Sequence, residues 1–307
     1  MPLTYKIIAV LAVIGLVLIA VFMRTGQSRP IDAARFDAFY AAPAPTTAGP
    51  LRVFHLGHSL VGRDMPAMLA QLAPDGHGYE SQLGWGTPMR AHWEPSEPIN
   101  GFDEENDHPR YRDAKEALAS GEYDAFVLTE MVEIRDAIKY HDSPKYLSEW
   151  AMAAEMPVYL YESWHRLDDA EGWLTRLDKD LTRYWEDGVM RPALARMETP
   201  RPIYVIPAGQ VMAKFVRAVE AHGDVAGISG RDDLFSDDIH FNDVGAYLVA
   251  LTHYAVLYQQ SPVGLPHVLK RADGTPADAP SAEAAALMQE IVWEVVQAYP
   301  RTGLPQG

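Results

Sequence analysis

Short apolar runs alternate with longer helical patterns along most of the chain. The apolar runs are bounded by Gly, Pro, Asp or a change of periodicity and predict buried parallel strands at 52–56, 125–129, 158–161 and 203–206, with a weaker one at 79–83. The longer patterns predict helices at 64–73, 111–120, 144–154, 169–185, 208–221 and 244–258. This alternation predicts a three-layer α/β/α fold with a parallel sheet.

The N-terminal segment has a different pattern. Ile7 to Met23 carries no polar side chain, is flanked by Lys6 and Arg24, and is followed by no small-x-small cleavage site. As a helix it would reach roughly 25 Å, the short end of what spans a bilayer. We therefore expect residues 1–24 to be an uncleaved membrane anchor, with a cleaved signal peptide as the alternative. The expected location of the rest is periplasmic or at the cell surface, although positive charges nearly balance across the segment.

Pro and Ala dominate the next stretch, Ala41 to Pro50, which predicts a semi-rigid linker within residues 25–50. The remaining residues, 51–307, have the length of one α/β domain and contain no internal repeat. A last helical pattern at 282–299 is expected to pack on the outside of the sheet.

Composition excludes several functional classes. The chain has 42 Asp and Glu against 26 Lys and Arg, a net charge of −16, and no cysteine. Without cysteine there is no thiol nucleophile and no Cys-ligated metal site. No Lys/Arg-rich block is present, so nucleic acid is not expected as a partner. Neither a His-x-x-x-His or His-x-His spacing nor a phosphate-binding Gly-rich loop occurs, so we expect no metal and no cofactor.

The first candidate site residue follows the first predicted strand. His55-Leu56-Gly57-His58-Ser59-Leu60 places Ser59 in the turn between a strand and a helix. Ligands of doubly wound sheets bind beyond the carboxyl ends of the strands. Such a serine presents its hydroxyl to the crevice and its own N–H to a developing oxyanion.

A second motif lies near the end of the domain. In Ser236-Asp237-Asp238-Ile239-His240, the carboxylate of Asp237 is spaced to hold one ring nitrogen of His240 while the other faces outward. Asn242 is a natural N-cap for the apolar helix that follows. The pattern predicts a general-base histidine with an orienting acid.

Together, Gly57-His58-Ser59-Leu60 and Asp237-x-x-His240, in this order on an α/β pattern, resemble the SGNH/GDSL hydrolase superfamily. The resemblance spans Leu51 to about Tyr258, although only the end motifs are specific. It implies a flavodoxin-like fold with Ser59 as nucleophile, His240 as base and Asp237 as acid.

The middle motifs match that family less well. The resemblance implies an oxyanion-hole N–H from Gly86, with Gly84 as the alternative, besides the N–H of Ser59. The family's Gly-x-Asn-Asp block is replaced here by Thr129-Glu130, as in a divergent branch. Thr129 is a possible substitute donor. A carboxylate aimed at an oxyanion would oppose catalysis, so Glu130 must be turned away, protonated, or placed to bind substrate or hold a loop.

Polar and aromatic residues near the expected crevice suit sugar faces and hydroxyls. The expected substrate-binding residues are Glu130, His92, Trp85, Trp164 and His165.

The expected function is that of a serine esterase acting on short, acetyl-like esters, on an acylated small molecule or glycan, through an acyl-enzyme. An O-acyltransferase, a lipase or thioesterase, and an inactive carbohydrate-binding protein of the same fold are the alternatives.

Overall fold

A parallel five-stranded sheet forms the centre of the protein, and the computed structural model describes residues 30–46 and 49–305. The strands are β1 (Arg52–His58), β2 (Gly78–Gly84), β3 (Ala125–Leu128), β4 (Val158–Glu162) and β5 (Ile203–Pro207). They lie in the order 2-1-3-4-5, and each neighbouring pair is parallel. His58 pairs with Gly84, and Leu56 pairs with Leu128. The carboxyl ends of the three strands nearest Ser59 therefore meet at one edge, and the predicted parallel sheet is confirmed.

Helices fill the connections between the strands. The α-helices are α1 (Ala33–Ala38), α2 (Asp64–Leu72), α3 (Met89–Trp93), α4 (Phe102–Asn106), α5 (Ala114–Ala119), α6 (Ile134–His141), α7 (Ser143–Ala153), α8 (Trp173–Asp180), α9 (Arg191–Arg196), α10 (Ala208–His222), α11 (Asp243–Tyr258) and α12 (Ala282–Ala298). A π-helix, Leu181–Met190, joins α8 to α9, and a 3₁₀ turn, Arg231–Leu234, precedes the segment that carries His240.

The helices form two groups. Helices α2, α10, α11 and α12 contact one another, and α3, α5, α7, α9 and the π-helix form a second contacting set. From β1 the chain moves toward one edge of the sheet to form β2. From β3 to β5 it moves step by step toward the opposite edge. Right-handed crossovers in opposite directions place their helices on opposite faces. The sheet therefore has helices on both faces.

Some helices differ from the sequence pattern. The pattern at 169–185 predicts one helix, but α8 begins at Trp173 and continues into the π-helix to Met190. Helices α3, α4, α6 and α9 are not predicted, because elements of five to eight residues hold too few apolar positions to show a helical period.

The stretch expected to be a linker instead packs onto the domain. Ile31, Phe36, Tyr40 and Ala44 are all buried in the hydrophobic core. The Tyr40 hydroxyl donates a hydrogen bond of 2.8 Å to the carbonyl oxygen of Ile203 at the start of β5. Apolar side chains spaced along and after α1 thus outweigh the Pro and Ala content, and residues 31–44 are part of the domain rather than a tether.

The predicted membrane anchor at 7–23 lies outside the described residues. Within 30–46 and 49–305, no helix has both the length and the apolar character needed to cross a membrane.

Substitution of Phe36 tests whether this segment contributes to stability. The side chain is 2% exposed, its ring meets Tyr40 edge-on at 5.3 Å, and the Arg301 guanidinium lies 4.5 Å from its centre. Phe36→Ala is expected to lower the free energy of unfolding by about 3 kcal/mol in urea titrations of the full-length chain. Arg35→Ala, exposed on the same helix, is the control and is expected to change it by less than about 0.5 kcal/mol. Equal effects of the two substitutions would contradict a core role for this segment.

Candidate active site

Ser59 lies in a tight turn directly after β1. The carbonyl oxygen of His58 accepts hydrogen bonds from the N–H groups of Val61 and Gly62, and the His58 ring accepts one from the N–H of Leu60. The Ser59 N–H has no acceptor among the described residues. The turn therefore holds the serine rigidly and leaves its own N–H available.

The Ser59 hydroxyl faces the predicted histidine. Its Oγ lies 2.9 Å from Nε2 of His240, and Nδ1 of the same ring lies 2.7 Å from Oδ2 of Asp237. Oδ1 of Asp237 accepts hydrogen bonds from the N–H groups of Ile239 and His240. Burial acts to raise the pKa of Asp237, but these N–H groups and the His240 ring outweigh it and lower the pKa to about 2. The acid therefore stays ionised and the ring keeps its proton on Nδ1, which leaves Nε2 free to accept a proton.

The segment carrying the base is held by its neighbours after β4. The indole N–H of Trp164 donates to the carbonyl oxygen of Ile239 at 2.8 Å, and the N–H of Leu167 donates to that of Asp238 at 2.8 Å. Asn242 caps α11 as predicted, accepting hydrogen bonds from the N–H groups of Val244 and Gly245. Trp164 is therefore buried and does not face the solvent. Its hydrogen bond to Ile239 positions the residue next to His240.

Gly86 supplies a second free N–H at the site. It follows β2, has φ of +57°, a left-handed conformation that favours glycine, and lines the same cleft as Ser59 and His240. Its N–H has no acceptor among the described residues. Gly84, the alternative, is buried as the last residue of β2 and pairs with His58. Gly86 is therefore the better placed of the two glycines for an oxyanion.

Thr129 has no free donor for an oxyanion. Its hydroxyl donates to the carbonyl oxygen of Tyr161 at 2.8 Å, and its N–H donates to that of Leu56 at 3.1 Å. Its methyl group packs against Gly57, where an added Cβ would lie 2.6 Å from Cγ2 of Thr129. The residue serves close packing between β1 and β3.

Glu130 is fully buried and turned away from the nucleophile. Its Oε1 accepts hydrogen bonds from the N–H groups of Met89, at 3.0 Å, and Met131, at 2.8 Å. Burial raises the pKa of the carboxyl against the lowering effect of these N–H groups. Met89 begins α3, directly after the loop that contains Gly86. Glu130 therefore holds that loop.

His92, on α3, ties the same loop to β1. Its Nε2–H donates to the carbonyl oxygen of Gly57 at 2.9 Å, and its Nδ1 accepts a hydrogen bond from Nε2 of Gln82 at 3.0 Å. Burial lowers the pKa of His92 to about 4, although its bond to Gly57 acts in the opposite direction. The ring is therefore neutral at neutral pH and acts as a rigid link.

The open side of the site is a cleft of about 640 Å³. Its lining residues come from the segments after β1, β2, β3 and β4 and from the loop before α11: Ser59, Trp85, Gly86, Glu105, Val132, Arg166, Ile239 and His240. Trp85 is 51% exposed, its indole lies across Gly101, and its Nε1–H donates to the Glu105 carboxylate at 2.8 Å. The cleft thus has a fixed aromatic platform beside the nucleophile.

Only one of the five residues expected to bind substrate lines the cleft. Trp85 lines the cleft, whereas Glu130, His92, Trp164 and His165 are each at most 7% exposed. Burial lowers the pKa of His165 to about 4, and nearby Arg176 adds to the effect. These four side chains contact the protein itself.

Sequence reasoning missed His58 and Arg166. The Nε2–H of the buried His58 donates to the carbonyl oxygen of Glu130 at 2.8 Å, and burial lowers its pKa to about 4. Arg166 lines the cleft and pairs with Asp168 and Asp238. The position of His58 beside Ser59 was a usable signal, whereas no sequence pattern points to Arg166.

No family model matches the chain, and no curated protein matches it. A solved structure of a DUF4886 family protein from Bacteroides uniformis is similar to it, with 14% sequence identity and a TM-score of 0.49. The match covers 81% of this chain and 95% of that protein. The roles of the site residues therefore follow from their geometry alone.

Substitution of Glu130 tests its role as a loop anchor. Glu130→Ala leaves two buried N–H groups without an acceptor and is expected to cost about 3 kcal/mol of unfolding free energy. Glu130→Gln keeps one accepting oxygen and is expected to cost less. Urea titrations of both variants measure the difference, and an equal loss in the two would contradict the anchor role.

Wild type and Glu130→Gln together test the raised pKa of the Glu130 carboxyl. The carboxyl titrates near pH 4.3 in the unfolded chain and higher in the folded one, so its contribution is full below about pH 4.3 and declines as the pH rises through the folded pKa. The stability of wild type relative to Glu130→Gln should therefore fall as the pH rises above about 4.3. Exposed Glu155, changed to Gln, controls for the loss of one charge.

Proposed function

We propose that this protein is a serine esterase that hydrolyses short acyl esters, with Ser59, His240 and Asp237 as its triad. The observation that carries the proposal is the continuous pair of contacts, 2.9 Å from Ser59 Oγ to His240 Nε2 and 2.7 Å from His240 Nδ1 to Asp237. A hydroxyl, an imidazole and an ionised carboxylate in this sequence of contacts are the parts of a general-base-activated nucleophile.

The proposed reaction uses the free groups of the site. His240 Nε2 takes the proton of Ser59 as Oγ attacks the ester carbonyl, and the N–H groups of Ser59 and Gly86 bind the negative oxygen that forms. The protonated His240 then gives its proton to the leaving alcohol oxygen. Water, activated by the same nitrogen, attacks the acyl-enzyme and releases the acid and Ser59.

The strand order and the motifs support an SGNH-type assignment of the fold. The order 2-1-3-4-5 is that of flavodoxin-like sheets, and Ser59, Gly86 and the Asp237–His240 pair occupy the positions that the family's first, second and last motifs imply. Thr129 and Glu130 depart from its third motif. The esterase would then work with two backbone donors at the oxyanion.

A carbohydrate ester is the substrate class we favour. Trp85 offers an exposed indole next to Gly86, and the carboxylate of Glu105 and the guanidinium of Arg166 line the same cleft. An aromatic face beside charged hydrogen-bonding groups suits a sugar ring better than a long acyl chain.

A carbohydrate-binding protein without turnover is a second candidate. It is favoured by the engagement of both Thr129 donors with carbonyl oxygens, which leaves no third oxyanion donor from that residue. Binding of acetylated oligosaccharides without release of acetate would support it, and transfer of acetate to an added sugar would indicate an O-acyltransferase instead.

Serine labelling is the direct test of the nucleophile. A fluorophosphonate probe should label the full-length wild type but not Ser59→Ala, and turnover of an aryl acetate should fall by about 10⁴-fold or more in Ser59→Ala and His240→Ala. Ser261→Ala, exposed and remote in sequence from the motif, is the matched control. Labelling that persists in Ser59→Ala would contradict the assignment of Ser59 as the nucleophile. A panel of esters that neither wild type nor any variant turns over would contradict it as well.

The tryptophan platform predicts a selective defect. Trp85→Ala should reduce kcat/KM for acetylated oligosaccharides by about tenfold, because stacking of a sugar on the indole is lost. Turnover of a small aryl acetate should change much less. Trp293→Ala, half-buried on α12, is the control. Equal losses for both substrates would indicate damage to the catalytic centre rather than to sugar binding.

A further inference from the structure

A second cleft, of about 760 Å³, adjoins the cleft of Ser59, and Glu105 lines both. We call it the arginine cleft and define it by Arg63, Tyr79, Glu105, His108, Arg110 and Arg271. Arg63 comes four residues after the nucleophile, at the start of α2. A substrate held at Ser59 that extends past Glu105 therefore enters the arginine cleft.

Two arginines in this cleft, Arg63 and Arg110, form no salt bridge with any carboxylate of the described residues. Arg63 donates only to backbone carbonyl oxygens, through Nε to Glu105 and through Nη2 to Glu104. The Arg110 guanidinium stacks over the ring of Tyr79, 4.9 Å from its centre. Within the described residues, neither guanidinium lies within salt-bridge distance of an Asp or Glu. Arg271, by contrast, is paired with Asp243 and Asp278.

The carboxylates that line the cleft are engaged elsewhere. Asp64 accepts a hydrogen bond from the N–H of Ala272, Glu105 accepts one from Trp85, and Asp273 accepts two from Thr275. They thus hold surrounding loops instead of pairing with Arg63 or Arg110. Nη1 of Arg63, which makes none of the Arg63 hydrogen bonds to Glu104 and Glu105, and the guanidinium of Arg110 are the donors that face a ligand in this cleft.

We propose that the arginine cleft binds an oxyanion group, a carboxylate or a phosphate, carried by the same molecule whose ester reacts at Ser59. This inference rests on the proposed esterase function and narrows its substrate to anionic esters. Guanidinium groups bind carboxylate and phosphate through paired, charge-assisted hydrogen bonds. In a chain of net charge −16, two guanidinium groups without a carboxylate at salt-bridge distance are also the groups in this cleft that would attract an anion.

A matched pair of substrates isolates the charge. O-acetylated oligogalacturonates and the same oligomers with methyl-esterified carboxyls carry the same acetyl ester but differ in the charge of the carboxyl group, and release of acetate is measured so that cleavage of the methyl ester is not counted. The full-length wild type should show a kcat/KM about tenfold higher on the anionic form, and the ratio should fall to about one in Arg63→Gln/Arg110→Gln. It should also fall as NaCl is raised from 0.05 to 0.5 M, because salt screens the attraction.

Arg183→Gln is the matched control. Arg183 is exposed, has no carboxylate partner among the described residues and lies over the ring of Tyr184 at 5.4 Å, but does not line the arginine cleft. The ratio of kcat/KM on the anionic form to kcat/KM on the methyl-esterified form should be the same in Arg183→Gln as in wild type. The same comparison with acetylated glucose 6-phosphate and acetylated glucose shows whether phosphate or carboxylate is preferred.

The outcomes separate the two proposals. The arginine cleft is not an anion site if the wild type has the same kcat/KM on the anionic and the methyl-esterified oligomers. The same conclusion follows if Arg63→Gln/Arg110→Gln keeps the preference of the wild type for the anionic form. Either result counts against the cleft even when Ser59 is labelled and active. If Ser59 proves unreactive, the cleft is tested by calorimetry on Ser59→Ala: binding of the anionic oligomer should weaken about tenfold when Arg63 and Arg110 are also replaced. Unchanged binding overturns the proposal.

Discussion

A hydrogen bond from the buried ring of His58 to the carbonyl oxygen of Glu130 joins the ends of β1 and β3. From the β2 side, His92 donates to the carbonyl oxygen of Gly57. Gly57 has no Cβ, which allows the methyl group of Thr129 to lie against it. The end of β1 is thus held by both neighbouring strands, and the turn after it can leave the sheet in only one direction. The distance from Ser59 to His240 depends on that direction.

The same arrangement explains why an acid stands where an oxyanion donor is expected. Glu130 lies among apolar side chains, and its oxygen binds the N–H groups of Met89 and Met131. These bonds place α3, and α3 places the loop of Gly86. An acid that would repel an oxyanion therefore acts at a distance, by positioning the backbone donor that would stabilise one.

The strands and the contact between Asp237 and His240 were predictable, because each leaves a local signal. Buried parallel strands are short apolar runs, and Asp237 and His240 lie three residues apart in one loop. The burial of Trp164 and His165 was not predictable, since a tryptophan after a strand has the same sequence pattern whether it packs or binds. The role of Glu130 depends on Met89, which is 41 residues away in the sequence. The packing of Phe36 depends on Arg301, which only the folded chain brings near it.

The two parts of the triad are supported in different ways. Ser59 directly follows β1, which is buried from Val53 to His58, whereas the side chains of Asp237 and His240 are 50% and 43% exposed. Their loop is attached through a few hydrogen bonds, among them that from Trp164 to Ile239. Segments held in this way open at lower free energy than a core strand does. Opening of this loop would separate His240 from Ser59 while the sheet stays folded, so the proposed catalytic contact and global stability are separate properties of this molecule.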